Sequence, residues 1–163
     1  MFSEQELEEA VKRGCAYNDS GQKDLAFTIW KATAMQGYAH AQHLVGFCYE
    51  WGIGISKDKE KAFHWYKLAA EQNYPQSLCY LGRFYHMGVV VERDIDEALR
   101  LYKQAAELGD KEATMVMGNL LFHEHFPEKN TEEAVKWYLK SFLLDNENAL
   151  AQLKMAIEED DLD

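Results

Sequence analysis

The sequence predicts an all-α protein, a right-handed α-solenoid of four antiparallel helix hairpins followed by a C-terminal capping helix. Three observations lead there. Val45-Gly46, Leu81-Gly82 and Met117-Gly118 stand 36 residues apart. Ala26, Ala62, Ala98 and Ala134 keep the same 36-residue spacing, as do Trp30, Tyr66, Tyr102 and Tyr138. Within each repeat, apolar residues recur at three- and four-residue intervals, the period of an amphipathic helix. A fixed period of this length describes a helix pair too small to bury its own apolar face, which obtains a core by stacking on copies of itself.

The elements follow in order. The first hairpin, about residues 3–37, opens on Ser3-x-x-Glu6, a capping-box pattern, and carries Gly14, Tyr17, Ala26 and Trp30. Gly14 to Ala26 is 12 residues against 16 in the later units, so its loop is four residues shorter. The second hairpin, 38–73, reads Ala41-x-x-x-Val45-Gly46-x-x-Tyr49-x-x-Gly52-x-Gly54 and then Lys61-Ala62-x-x-Trp65-Tyr66-x-x-Ala69-Ala70. The third, 74–109, has Leu81-Gly82, Tyr85, Gly88, Ala98, Leu101-Tyr102 and Ala105-Ala106. In the fourth, 110–145, come Met117-Gly118, Leu121, Ala134 and Trp137-Tyr138, with Glu124-His125-Phe126-Pro127 where the loop glycines stood. Residues 147–159 form the capping helix, with Ala149, Leu153 and Ile157 on its apolar face and a polar back, and 160–163 an acidic tail.

Boundary residues agree with this division. Gly37, Asn73, Gly109 and Asp145 recur every 36 residues just past the second helix of each pair, where a left-handed residue ends a helix. Asp58, Asp94 and Asn130 or Thr131 supply caps for the second helices. Glycine inside a helix costs about 1 kcal/mol relative to alanine. Its return at 46, 82 and 118 therefore points to close approach of the partner helix, whose aromatic side chains need the room.

These strings resemble the Sel1-like repeat family, longer-looped relatives of tetratricopeptide repeats. The resemblance is carried by Leu-Gly-x-x-Tyr and by Lys-Ala-x-x-Trp-Tyr-x-x-Ala-Ala, and it covers residues 39–146. The first hairpin is more similar to an ordinary tetratricopeptide unit. The secreted, cysteine-rich members linked to β-lactam binding carry paired cysteines in each repeat, which this chain lacks, so that activity is not inferred.

Composition narrows the function. A formal net charge of −11, with 17 basic residues scattered singly, excludes a nucleic-acid partner, because phosphate neutralisation needs clustered Lys and Arg. No apolar run approaches the roughly 20 residues that span a bilayer, so membrane insertion is not expected. Cys15, Cys48 and Cys79 fall at unrelated places in the repeat, which is no disulfide framework. With no secretory leader in this sequence, the expected setting is the cytoplasm.

The resemblance implies that the first helix of each pair lines a concave groove. It assigns His40, His43, Phe47 and Trp51 of the second unit to that surface. Tyr80, Arg83, His86 and Met87 come from the third unit, and Met115, Asn119 and Phe122 from the fourth. Trp, Tyr and Arg most often dominate binding energy. The expected function is that of a non-enzymatic adaptor that takes a peptide or protein segment in this groove. Arg83 is expected to pair with a carboxylate or chain terminus of the partner. The acidity supports an alternative, a cytoplasmic immunity or inhibitor protein that neutralises a basic toxin or enzyme. The exposed end of such a stack is also open to self-association.

No cofactor, metal or catalytic residue is assigned. His40 and His43 form one pair and His123 and His125 another, but they belong to different units, and a metal needs three or four convergent ligands. Gly52-Ile53-Gly54 lacks the third glycine of a dinucleotide loop. Cys79 with His43 or His86 could be imagined as a nucleophile pair, since Cys79 and His43 hold equivalent positions in adjacent units, but coincidence is the better explanation.

Overall fold

Ser3 starts the first helix as the sequence leads one to expect. Its side chain accepts from the Glu6 amide, and the Glu6 carboxylate accepts from the Ser3 amide at 2.8 Å. The computed structural model describes residues 2–123 and 130–160. Over these residues it contains helices α1 (Glu4–Asp19), α2 (Lys23–Ala34), α3 (Ala39–Trp51), α4 (Lys59–Ala70), α5 (Pro75–Met87), α6 (Ile95–Glu107), α7 (Lys111–Phe122), α8 (Thr131–Leu143) and α9 (Asn148–Asp160). None is long and apolar enough to cross a membrane. Expectations for Glu124 to Pro127 and for the tail beyond Asp160 fall outside the described residues.

Caps divide the chain into these helices. Asp58, Asp94 and Asn130 accept from the amides of Lys61, Glu97 and Glu133, each at 2.9 Å. Asp110, which the sequence reading did not single out, caps α7 through the Ala113 amide at 2.7 Å and is itself buried. Gly37, Asn73, Gly109 and Asp145 all take positive φ, between 60° and 90°.

Each helix packs on the next, and odd-numbered helices also touch across the stack at α5–α7 and α7–α9. These contacts place α5, α7 and α9 on one common side of the stack. The result is an all-α repeat solenoid. Its core lies along the interior in three successive clusters, one around Val11, Trp30, Val45 and Tyr66, one around Leu101 and Tyr102, and one around Tyr138.

The mid-helix glycines fit the second-helix aromatics closely. A β-carbon on Gly46 would lie 2.8 Å from the Tyr66 ring, one on Gly82 3.0 Å from Tyr102, and one on Gly118 2.6 Å from Tyr138. Gly14 meets Trp30 the same way at 2.3 Å, so the shorter first unit keeps the same joint.

Two local features depart from expectation. The outward side of α9 is mixed rather than polar: Ala149 and Ala156 are buried and Leu153 packs inward, while Leu150, Met155 and Ile157, expected inward in the last case, are exposed beside Asn148, Lys154 and Glu158. Val90 stands 36 residues after Gly54 and copies its left-handed backbone, φ 71° against 66°. A β-branched residue is strained there. Val90→Gly relieves that strain against the entropy glycine adds to the unfolded chain. The substitution is expected to stabilise by about 0.5–1 kcal/mol, read as a shift of the urea midpoint at unchanged slope.

Candidate functional site

Helices α3 and α5 are almost free of formal charge, which sets them apart in a chain of net charge −11. Glu50 is the one acid in α3 and Arg83 the one Lys or Arg in α5. The two pair with each other across the units, Arg83 Nη2 donating to Glu50 Oε1. The Tyr66 hydroxyl donates to the other carboxylate oxygen of Glu50 at 2.8 Å. One acid therefore ties α3, α4 and α5 together, and the inner surface around it is left to aromatic side chains.

These aromatics form a continuous strip. His40 stacks on Tyr74 at 5.6 Å between ring centroids. His43 lies within 5.5 Å of Tyr66, Tyr74 and Tyr80. Phe47 meets Tyr80 edge-on at 6.3 Å and Trp51 at 6.2 Å. The Arg83 guanidinium sits over the Tyr80 ring at 4.4 Å, within the range of a cation–π contact. At the loop end the strip opens into a cleft of about 250 Å³ lined by Glu50, Trp51, Lys59, Arg83, Phe84, Met87 and Val89. Trp51 is 50% and Met87 65% exposed at its mouth.

The structure therefore brings together His40, His43, Phe47, Trp51, Tyr80, Arg83 and Met87. Not all of them face outward. His43 is 9% exposed, and its Nδ1 shares a 3.0 Å hydrogen bond with the buried Ser77 hydroxyl, so it supports the strip from beneath. Arg83 already has a carboxylate partner within the chain. His86 lies away from the strip, near Tyr102 of the same unit, ring to ring at 6.2 Å. In the fourth unit Asn119 accepts from the Tyr138 hydroxyl at 2.9 Å, and the Met115 sulfur is approached by the Asn146 amide at 3.5 Å.

Phe122 needs correction as a groove residue. At 5% exposure its ring packs on Tyr138 inside the last core cluster, because α8 lies along α7 and covers it. Val11 of α1 is also buried, and its carbonyl accepts from Trp30. Tyr74, Lys59 and Val89 belong to the site but lie just outside or at the very end of helices, where the helical period gives no signal.

Burial governs the ionisable groups here. It holds the His43 imidazole down, to about 4, and lowers His40 as well. The Cys79 thiol is pushed well up by burial and then by the Asp110 carboxylate, the opposite of what a nucleophile requires. Among the described residues no three His, Cys, Asp or Glu side chains are grouped to hold a metal ion.

The His43 shift carries a pH prediction. The unfolded imidazole takes up its proton near 6.5 and the folded one near 4. Stability from neutral His43 is complete above about 6.5 and is lost as pH falls towards 4. Between pH 7.5 and 5 the loss is expected to be about 2 kcal/mol. His43→Gln, which does not titrate, should remove most of that slope in urea titrations at the two pH values; an unchanged slope would place the titration elsewhere.

The Sel1 repeat family model matches residues 39–74, 75–110 and 111–146. Among solved structures, a Sel1 repeat protein from Oxalobacter formigenes is 30% identical, with a TM-score of 0.80 over 90% of this chain and 58% of that one. The protein c5321, a protective antigen present in uropathogenic Escherichia coli strains, is 22% identical with a TM-score of 0.82, over 90% of this chain and 32% of its own length. The immunity protein Pa5087 from Pseudomonas aeruginosa is 19% identical with a TM-score of 0.68, over 91% and 57%. This chain thus spans about three fifths of the first and third and a third of the second. Among curated proteins none matches.

Proposed function

Because the chain belongs to the Sel1 repeat family, we propose that it is a non-enzymatic adaptor that takes a peptide or protein segment in the groove formed by α3 and α5. The observation that carries this reading is the cleft at the loop end of the aromatic strip. There a half-exposed tryptophan and an exposed methionine flank Phe84 and Val89 beside the Glu50–Arg83 pair. An apolar side chain of the partner enters between Trp51 and Met87. The Arg83 side chain, 37% exposed, gives its remaining N–H groups to a carbonyl or carboxylate of the same segment. The tyrosines and His43 hold the strip rigid, which lowers the entropy cost of binding. Three unpaired cysteines fit action in the cytoplasm.

Near neutrality of the groove sets an expected signature. Affinity should change only modestly with ionic strength, since two of the three charged groups that line the cleft, Glu50 and Arg83, pair with each other and Lys59 is the third. Trp51→Ala with Met87→Ala tests the reading, because both side chains are exposed and their removal spares the core. A second reading, neutralisation of a basic protein, is favoured by one observation: residues 1–19 and 145–163 together carry nine of the eleven net negative charges. It predicts fast association that slows steeply with salt.

A further inference from the structure

The last unit breaks the repeat on one surface. Lys31, Lys67 and Lys103 are followed at the same position by Leu139. Ala34, Ala70 and Ala106 are followed by Phe142, and Met35, Glu71 and Glu107 by Leu143. On α9, Leu150 takes the place of Gln42, Leu78 and Thr114, and Ile157 that of Tyr49, Tyr85 and Leu121.

Earlier units show that these positions adjoin. Lys31 Nζ reaches the Tyr49 hydroxyl at 3.1 Å, and the Gln42 amide reaches the Ala34 carbonyl at 3.5 Å. Three repeats later the same joints place Leu139 beside Ile157 and Phe142 beside Leu150. In the second unit this surface is covered by α4, whose Trp65 ring lies 5.3 Å from Lys31 Nζ. Gln42, Leu78 and Thr114 are accordingly buried, whereas Leu150 is not. Leu139, Phe142, Leu143, Leu150 and Ile157 are 40–72% exposed, an apolar slot with the outline of one helix.

Charge decides what fills the slot. Residues 145–163 carry a net −6; Asp145 and Glu147 lie beside Phe142 and Leu143 at one mouth, and Glu158 follows Ile157 at the other. A second copy docked end to end would set this −6 region against another, or against the net −3 of residues 1–19. Lys154 stands where Gly46, Gly82 and Gly118 stand, so the close seat those glycines give a tyrosine is missing here. We propose that the slot receives an amphipathic helix of a basic partner protein. Its aliphatic stripe lies on Leu139, Phe142, Leu150 and Ile157, a small residue faces Lys154, and lysines or arginines at both ends meet the acidic rims.

The test is fluorescence anisotropy with a labelled synthetic helix that bears a Leu/Ile stripe, a central alanine and a lysine pair at each end, against a twin with glutamate pairs. The lysine-flanked peptide should bind at least about tenfold more tightly than its twin. Leu139→Lys with Phe142→Ala and Leu143→Glu should weaken it by about tenfold or more. That variant restores the residues of the third unit, so its fold, checked by circular dichroism, is retained. Glu147→Lys with Glu158→Lys, on the surface, takes residues 145–163 from net −6 to −2 and should narrow the preference between the twins. Equal binding of both twins, or equal binding to wild type and the triple variant, overturns the proposal. So does a wild-type dimer in light scattering that the triple variant dissociates, because a second copy would then be the occupant. Trp51→Ala with Met87→Ala should leave this binding unchanged, which separates failure here from failure of the groove reading.

Discussion

Replacing Tyr66 by Ala is expected to lower stability by about 3–5 kcal/mol, the range for removing a large buried aromatic. The side chain is 0% exposed and touches three helices: it seats over Gly46 of α3, lies 4.9 Å from Tyr80 of α5, and projects from α4 itself. Tyr66→Phe keeps the ring and removes only the hydrogen bond to Glu50, whose carboxylate retains Arg83. Its expected cost is about 1 kcal/mol. Equal costs for the two variants would mean that the hydroxyl, not the ring, holds the joint.

The partner glycine makes the same test from the other side. Gly46→Ala improves helix propensity by about 1 kcal/mol, but its β-carbon would sit 2.8 Å from the Tyr66 ring. Overpacking of this kind costs typically about 1–3 kcal/mol, so the single variant should be destabilised. In the Tyr66→Ala background the obstruction is gone and the same substitution should stabilise. A change of sign around the double-mutant cycle, measured by urea unfolding, is the signature of a glycine kept for an aromatic neighbour. An unchanged sign would mean that Gly46 is kept for another reason.

The second large effect concerns binding. Trp51→Ala with Met87→Ala should weaken a groove-bound segment about a hundredfold. Truncating a central tryptophan alone costs about 2 kcal/mol or more, and each 1.4 kcal/mol is a factor of ten. Both side chains lie largely outside the core, so thermal unfolding should barely move. Tyr80→Ala, by contrast, should lose stability as well as binding, because its ring supports Phe47, His43 and Arg83.

The repeat period made the helices, their caps and the glycine–aromatic joints readable in the sequence, since each is a local pattern or one repeated 36 residues on. What the period could not convey is what covers each position. Glu50, His86 and Phe122 are equivalent by count, yet the first carries an ion pair, the second lies beside Tyr102 and the third is buried. His43 is buried because Tyr74 and Tyr80 of the next unit close over it, a contact that depends on side-chain direction across a joint. The apolar end of the stack was hidden for a related reason. Leu139 and Phe142 read as ordinary helix residues until superposition of the units shows lysine and alanine in their places.

The central claim is that partners dock in the α3–α5 groove. Parallel affinity capture from a lysate of the native host tests it most directly, with wild type, Trp51→Ala/Met87→Ala and Leu139→Lys/Phe142→Ala/Leu143→Glu compared by quantitative mass spectrometry. A partner held by wild type and by the end variant but lost from the groove variant is the expected result. A partner held equally by wild type and the groove variant would contradict the claim.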